Sequence, residues 1–298
     1  MKILLTGATG QVGWELQRTL MTLGEVISVG RGQMDLAQPD TIRRTIEEVR
    51  PNLIVNPAAY TAVDKAESEP ELAMAINGIA PGVIAEAAKS LGAAIIHYST
   101  DYVFDGSQTT PYTEKDQPNP QNIYGQTKLA GEQAIAAVGV PHLILRTSWV
   151  YSLRGKNFLL TMLRLAQERE EIRVVDDQIG APTWSRMIAE VTSQILAQAP
   201  ENVSDFIASQ GGVYHLTASG KTSWYRFTKA ILTHDEKPGD RKLQRLIPIT
   251  TQEYPTPASR PAYSLLDTQK LTRTFGLVPP DWERSLELVL ATNLSNCW

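Results

Sequence analysis

The chain begins with a short apolar segment, residues 2–6, followed directly by the glycine-rich run 7–13 (GATGQVG). An amphipathic stretch then continues to about Leu23. A buried strand, a glycine turn and a helix are typical of dinucleotide binding, because glycines let the backbone approach a pyrophosphate at the helix N-terminus. The spacing is G-x-x-G-x-x-G rather than G-x-G-x-x-G, and a glycine turn without a ligand is the alternative. We predict a nucleotide-binding turn that includes Gly7 and Gly10.

Strand-like and helix-like patterns alternate after this turn. Buried strands are predicted at 25–30, 53–60, 93–99 and 142–146, and helices at about 40–49, 67–90 (interrupted near Gly78 and Pro81) and 124–138. Such alternation with short connections predicts an α/β fold, a doubly wound parallel Rossmann sheet.

The pattern loosens beyond Trp149. We expect an NAD(P)-binding domain at 1–150 and a smaller, mainly substrate-binding domain at 151–298, with some segments of the second domain returning to the first sheet. The other predicted elements are helices at 156–169, 184–198, 224–233 and 281–294, and short strands at 174–175 and 214–216.

The end of the second strand bears on the choice of cofactor. An acidic residue usually meets the ribose 2′-OH of NAD at this point, but the sequence here reads Gly30-Arg31-Gly32. An arginine suits a 2′-phosphate by its charge and its fork geometry. The pattern therefore favours NADPH over NADH, with a solvated loop arginine as the alternative.

Tyr124 and Lys128 form a Tyr-x-x-x-Lys pair at the head of the predicted helix 124–138. A spacing of four places both side chains on one helix face, one turn apart. A nearby ammonium is expected to lower the pKa of a phenol, which can then exchange a proton with a carbonyl or alcohol. A surface tyrosine beside a solvated lysine is the alternative.

Composition and charge exclude several other classes of function. The net charge of −4 provides no basic surface for nucleic acid, and no apolar run is long enough for a membrane span or a signal peptide. The single cysteine, Cys297, excludes an internal disulfide, and a reducing cytoplasm is expected. The four histidines show no metal-ligand spacing, and His97 is interpreted as a core residue.

The combination of motifs resembles the extended short-chain dehydrogenase/reductases, and the resemblance runs along nearly the whole chain. It rests on 7–16 (GATGQVGWEL), 56–69 (NPAAYTAVDKAESE), 97–106 (HYSTDYVFDG), 124–132 (YGQTKLAGE), 146–151 (RTSWVY), 177–183 (DQIGAPT) and 254–261 (YPTPASRP).

The resemblance implies a role for individual residues. Tyr124 matches the proton donor to a sugar C4 oxygen, Lys128 the residue that tunes it and holds the nicotinamide ribose, and Thr100 the hydroxyl that completes the triad. The implied cofactor contacts are Gly10, Gln11 and Val12 at the pyrophosphate, Asp35 and Leu36 at the adenine, and Ala58, Ala59, Tyr60 and Tyr98 at the floor of the site. The implied substrate contacts are Thr61, Val63, Thr100, Asp101, Trp149 and Arg260.

The implied reaction is the NADPH-dependent reduction of the C4 ketone of a dTDP-linked deoxysugar. Two rival functions stay open: an epimerase or dehydratase acting on a similar nucleotide sugar, and a non-catalytic subunit related to one that regulates methionine adenosyltransferase. Many dehydratases carry paired acids directly after the threonine, whereas this chain reads Ser99-Thr100-Asp101. The intact Thr100, Tyr124 and Lys128 argue against lost catalysis.

Some features of the family do not carry over directly. Some members have an acidic residue at the position of Gly30, so NADH use is left open. Some also bind Mg²⁺ through glutamates at a dimer contact. Glu15 matches one such ligand but no full set is identified, so Mg²⁺ and a homodimer are left open as well.

Overall fold

The computed structural model describes residues 1–235 and 241–291. Cys297 and the end of the helix expected at 281–294 lie outside the described residues. The strands, in chain order, are β1 (Lys2–Leu5), β2 (Glu25–Ser28), β3 (Leu53–Asn56), β4 (Ala94–Thr100), β5 (His142–Thr147), β6 (Val150–Tyr151), β7 (Glu171–Val175), β8 (Ile179–Gly180), β9 (Thr183–Trp184), β10 (Gly212–His215), β11 (Thr222–Ser223) and β12 (Arg245–Ile249).

Several of the helices begin after a residue whose side chain caps the first turn, among them Asn122, Asn157, Asn202 and Ser223. The helices, in chain order, are α1 (Gln11–Leu20), α2 (Pro39–Val49), α3 (Val63–Ala66), α4 (Pro70–Met74), α5 (Ala80–Ser90), α6 (Ile123–Val138), α7 (Phe158–Glu168), α8 (Ser185–Ala197), α9 (Val203–Gln210), α10 (Trp224–His234), α11 (Gln269–Phe275) and α12 (Trp282–Ala291). Single 3₁₀ turns occupy Asp101–Val103 and Thr251–Glu253.

Six parallel strands form the central sheet in the order β10-β5-β4-β3-β1-β2. The doubly wound α/β fold expected from the sequence is confirmed. Alternation along β1 shows how the sheet is buried on both faces: Ile3 and Leu5 pack into one core cluster, and Leu4 packs into the other. Parallel strands with both faces covered need such continuous apolar runs.

The order of the strands places β10, from the second half of the chain, at the edge of this sheet beside β5. Two further parallel pairs, β7 with β12 and β6 with β9, form small sheets outside it. The division of the chain at residue 150 stays a prediction.

The interruption expected within 67–90 has a different form in the structure. A π-helical segment, Ala75–Ile79, joins α4 directly to α5 and contains Gly78. Pro81 follows this segment in the first turn of α5 and has no backbone N–H to donate to the preceding turn. The helical run nevertheless continues through both residues, with a changed hydrogen-bond spacing at 75–79.

Candidate active site

The glycine turn follows β1 and packs against the loop that follows β3. Gly7 has a φ of 58°, and a Cβ on it would lie 3.0 Å from the Ala58 backbone. A Cβ on Gly13 would lie 2.1 Å from the carbonyl oxygen of Gly7. Gly10 precedes α1 in an extended conformation and provides no side-chain cap. The first N–H groups of α1 can therefore meet an anionic ligand.

Gln11 and Val12 form the first turn of α1. The Gln11 side chain is engaged elsewhere, since its Oε1 accepts hydrogen bonds from Ser152 Oγ at 2.8 Å and Asn157 Nδ2 at 2.9 Å. Val12 packs against the core. It is therefore the backbone of these two residues, rather than their side chains, that would contact a pyrophosphate.

The segment after β2 is open on the side where a ribose is expected. A Cβ on Gly30 would meet no atom within 4 Å, and the Arg31 side chain is 74% exposed with its Nε 3.9 Å from Asp35 Oδ1. Leu36, an expected adenine contact, is only 8% exposed and packs in the core. The structure thus leaves Gly30 and Arg31 accessible and mostly buries Leu36.

Thr100, Tyr124 and Lys128 come together at the carboxyl edge of the sheet. Thr100 ends β4, and α6 begins after Asn122, whose Oδ1 accepts from the Gly125 N–H at 2.8 Å. The helix lies directly on the turn after β4, because a Cβ on Gly125 would be 2.2 Å from the Tyr102 carbonyl oxygen. The Thr100 and Tyr124 side chains are neighbours at this edge, close enough for Thr100 to influence the pKa of Tyr124.

The protonation of Tyr124 differs from the expectation. Burial raises the pKa of Tyr124 to about 12, the Thr100 hydroxyl lowers it, and the nearby Asp101 raises it. Lys128 does not lower this pKa as expected, because its ammonium is directed at Tyr98 and His97 and burial of the phenol dominates. Tyr124 therefore carries its proton at neutral pH.

Lys128 is buried and held by β4. Its Nζ donates to the Tyr98 carbonyl oxygen at 2.6 Å and lies 3.2 Å from His97 Nε2. Burial lowers the pKa of Lys128 to about 8, and the carboxylate of Glu132, one turn further along α6, opposes this shift. Arg146 on β5 holds Glu132 through two hydrogen bonds of 2.9 and 2.6 Å. The helix is thereby tied to both β4 and β5.

Asp101 is a buried carboxylic acid beside the triad. It is 1% exposed, its Oδ1 accepts from Thr100 Oγ1 at 3.0 Å, and its Oδ2 has no hydrogen-bond partner within the described chain. Burial raises the pKa of Asp101 to about 6, and hydrogen bonds from Ser264 and Thr100 oppose the shift. The folded protein therefore holds this proton more tightly than the unfolded chain does.

Replacement of Asp101 by asparagine is expected to stabilise the fold near pH 7 by about 1–3 kcal/mol, because a neutral amide avoids a buried charge. The wild type loses stability as pH rises from about 4 to the folded-state pKa of about 6, since the native state binds more protons in this window. The gain from asparagine should disappear near pH 4. Urea unfolding of both proteins at pH 4 and 7 measures it, and an equal difference at the two pH values would contradict the assignment.

Trp149 is held in an unusual backbone conformation after β5. Its φ is 46°, a left-handed value that costs energy for a bulky residue. Its ring stacks on Trp224 at a centroid distance of 3.5 Å, and a Cβ on Gly180 would lie 2.6 Å from it. Trp224 in turn donates through Nε1 to Gln178 Oε1 at 3.2 Å. One face of the Trp149 ring is thus covered by protein.

Arg260, an expected substrate contact, already has a partner. Its Nη1 and Nη2 donate to the two carboxylate oxygens of Asp64 at 3.0 and 2.9 Å. This fork lowers the pKa of Asp64. The guanidinium is therefore fixed in orientation near the start of α3, and an anionic ligand would have to share it with Asp64.

The remaining expected contacts differ in how exposed they are and in whether their side chains are already hydrogen-bonded within the protein. Ala58, Ala59 and Val63 are half-buried, and Thr61 is exposed. Tyr60 donates to Glu69 Oε2 at 2.5 Å. Tyr98 points its hydroxyl into the core toward Thr192 Oγ1, at 2.8 Å, so it faces the site through its backbone oxygen. The sequence could not show which way the Tyr98 ring turns.

The search for a metal centre or a membrane span finds neither in residues 1–235 and 241–291. No three His, Cys, Asp or Glu side chains converge there to hold a metal ion. No helix in the same ranges is long and apolar enough to cross a bilayer. Mg²⁺ binding and a homodimer stay open, as the sequence left them.

Several contributors to the site were missed by sequence reasoning. Asn56, His97 and Arg146 begin the motifs 56–69, 97–106 and 146–151 but were given no catalytic or binding role, and Trp224 lies in none of the motifs. A useful signal was present for Glu132, because it lies four residues after Lys128 and so shares its helix face.

A parallel sheet with a glycine turn after its first strand, and with the threonine, tyrosine and lysine meeting at one edge, is typical of Rossmann-fold reductases of the short-chain type. The comparison with protein families narrows this class. The family model described as the RmlD substrate binding domain matches residues 1–295, and the chain belongs to this family.

Individual relatives cover nearly the whole chain. The dTDP-4-dehydrorhamnose reductase of Burkholderia thailandensis is 50% identical over 99% of this chain and 100% of its own length. A crystal structure of the Clostridium acetobutylicum dTDP-4-dehydrorhamnose reductase is 38% identical, with a TM-score of 0.90 over 99% of this chain and all of that one. The Bacillus anthracis dTDP-4-dehydrorhamnose reductase, solved in complex with NADP, is 36% identical, with a TM-score of 0.88 over 98% and 99% of the two chains.

Proposed function

We propose that this protein reduces the C4 ketone of dTDP-4-dehydro-6-deoxy-L-mannose to give dTDP-L-rhamnose, with NADPH as the hydride donor. The observation that carries the proposal is the meeting of Thr100, Tyr124 and Lys128 at the sheet edge that also holds the glycine turn. The names of the relatives, and the NADP complex of one of them, support it.

The residues present fit a dinucleotide. The glycine turn offers backbone N–H groups to a pyrophosphate, and the open space at Gly30 accepts a ribose with its phosphate beside Arg31. When bound, NADPH would supply a hydride to the sugar C4 carbon. Lys128 would hold the nicotinamide ribose through the N–H that β4 does not occupy.

The protein supplies the proton and stabilises the oxygen. Tyr124 is protonated at neutral pH, since its pKa is raised to about 12, and an alkoxide is basic enough to take that proton. Thr100 stands beside Tyr124 and can direct its hydroxyl at the same oxygen. Placing donors where negative charge develops is the main way such a site accelerates reduction.

The binding side for the sugar nucleotide would be formed by the half-buried Trp149 and by the Arg260–Asp64 pair. The indole offers an apolar surface for a ring, and the fixed guanidinium offers charge for a diphosphate. Thr61, Val63 and Asp101 would complete this side.

The test combines purified protein, NADPH and the dTDP-linked 4-keto-6-deoxy sugar. The expected result is stoichiometric loss of NADPH absorbance and a product heavier by two hydrogen atoms in mass spectrometry. An isomer of unchanged mass without net NADPH loss would identify an epimerase, and loss of water a dehydratase. Either result, or no turnover, would overturn the proposal.

The cofactor preference is expected to depend on Gly30 and Arg31. Because Arg31 is largely exposed, its charge-assisted contact with a 2′-phosphate is worth roughly tenfold in affinity. Arg31→Ala should narrow the preference for NADPH by about that factor, and Gly30→Asp should shift it toward NADH by repelling the phosphate. The measurement is the ratio of kcat/KM with NADPH to kcat/KM with NADH for the wild type and both variants. A ratio unchanged in both variants would mean that the protein does not recognise the 2′ position of the ribose.

A further inference from the structure

Lys128 is only 2% exposed, so its hydrogen bonds must be accepted mainly by protein groups around it. An ammonium group carries three N–H donors. The Tyr98 carbonyl oxygen takes one at 2.6 Å, and His97 Nε2 lies 3.2 Å away from Nζ. If Nε2 accepts the second, the third is left to point toward the cofactor side.

His97 belongs to a buried chain of polar groups that crosses three strands. Its Nδ1 lies 3.1 Å from the Asn56 amide group, whose other atom is 2.6 Å from Thr6 Oγ1. Thr6, Asn56 and His97 are 3%, 1% and 1% exposed. Thr6 directly precedes Gly7, so the chain runs from the glycine turn to Lys128.

The positions of the protons in this chain decide what His97 can do. If the Asn56 amide nitrogen faces Nδ1, it donates to Nδ1 and the ring proton is on Nε2, where it points at Lys128 Nζ. Nζ can accept a hydrogen bond from Nε2–H only when the lysine is a neutral amine. If the amide is turned, Oδ1 accepts from Nδ1–H, and Nε2 becomes an acceptor for the ammonium. The two ends of an amide are alike in size, so this turn needs no change in packing.

We propose that His97 is a positioning residue for Lys128, with Asn56 fixing the ring tautomer whose Nε2 accepts from the ammonium. This inference rests on the role of Lys128 in the proposed function. In this arrangement His97 and the Tyr98 carbonyl oxygen hold two N–H groups and direct the third at the nicotinamide ribose. The sequence interpretation of His97 as a core residue is thereby extended, because this buried residue also positions Lys128.

The other groups that act on Lys128 are identifiable. Tyr124 and Glu132 lie on its own helix, Arg146 of β5 binds Glu132, and Asp101 lies in the turn between β4 and α6. All of them remain when His97 is changed, so a change in the titration of Lys128 would report on His97.

The experiment compares His97→Leu with His97→Gln. Leucine removes the acceptor, whereas the glutamine Oε1 can reach the position of Nε2. The affinity for NADPH is measured against pH by quenching of tryptophan fluorescence, without any sugar, and kcat/KM is measured over the same range. For His97→Leu, loss of an acceptor destabilises the ammonium, so the alkaline limb of both profiles should move to lower pH by about one unit, a tenfold change in the ionisation equilibrium. For His97→Gln the alkaline limb of both profiles should stay near that of the wild type.

His142→Leu is the matched control, since His142 is the first residue of β5 and its Nδ1 lies 2.8 Å from the Val140 carbonyl oxygen, away from Lys128. It should leave both profiles unchanged. If His97→Leu does not fold, His97→Asn replaces it, because asparagine reaches Asn56 but not Lys128. Equal profiles for the wild type and the acceptor-less variant, or an equal shift with glutamine, would overturn the proposal. The NADPH binding profile decides this even if the dTDP-sugar proves not to be the substrate.

Discussion

Replacing Tyr124 with phenylalanine is expected to lower kcat for ketone reduction by about 10²–10⁴-fold, the usual contribution of a positioned proton donor. The ring should keep its edge contact with Tyr102, whose centroid is 5.6 Å away, so the fold is retained. The phenol is protonated at neutral pH because burial raises its pKa to about 12, and the variant has no group to replace it. Steady-state NADPH oxidation with saturating dTDP-sugar measures the loss.

The matched control for this prediction is Tyr151→Phe. The Tyr151 hydroxyl is buried and has no hydrogen-bond partner in the described residues, so its removal should leave turnover near that of the wild type. A rate for Tyr124→Phe within about twofold of the control would remove Tyr124 from the chemistry.

Thr100→Val is expected to lower kcat by about 10²–10³-fold with little change in NADPH affinity, in line with the loss of one donor to a developing oxyanion. The hydroxyl has a single proton, which it donates to Asp101 Oδ1 at 3.0 Å while it accepts from the Tyr102 N–H at 3.1 Å. It must therefore turn away from Asp101 to serve the ketone. Parallel measurement of kcat and of the NADPH dissociation constant separates the two roles.

Ser99→Ala is the control for Thr100→Val. Ser99 precedes Thr100 on the same strand, and its buried hydroxyl has no hydrogen-bond partner within the described residues. It should retain turnover. If Thr100→Val mainly weakens NADPH binding, Thr100 belongs to the cofactor site and the proposed triad is wrong.

Local pattern was enough to predict the central sheet and the glycine turn after β1. The apolar run of β1, the glycines that follow it and the next periodic helix are determined by neighbours along the chain, where steric limits and periodicity act directly. The same holds for the pairing of Tyr124 with Lys128, since both positions lie on one helix. Some short elements beyond residue 200, such as β12 (Arg245–Ile249) and α11 (Gln269–Phe275), were not predicted. Each is only a few residues long and packs against partners distant in sequence, and Pro248 argues against a strand in β12.

The pKa of Tyr124 illustrates a quantity that spacing could not provide. The sequence placed a positive charge one turn away, which by itself lowers the pKa of a phenol. The tertiary structure buries the phenol, places Asp101 nearby and turns the Lys128 ammonium toward Tyr98 and His97. Desolvation depends on everything packed around a group. Whether it outweighs the effect of one charged neighbour, and so whether the pKa rises or falls, is therefore decided only in the fold.

The sequence by itself determined the sheet, the glycine turn, the helix with Tyr124 and Lys128, and the family, because each is carried by residues adjacent in the chain or by motifs read in order. The tertiary structure alone decided that Thr6 (directly after β1), Asn56 of β3 and His97 of β4 form one buried polar chain ending at Lys128. It also decided that Trp224 covers Trp149. The physical reason is that burial and hydrogen-bond partners are set by residues far apart in sequence, which only the pairing of strands and the packing of helices bring into contact.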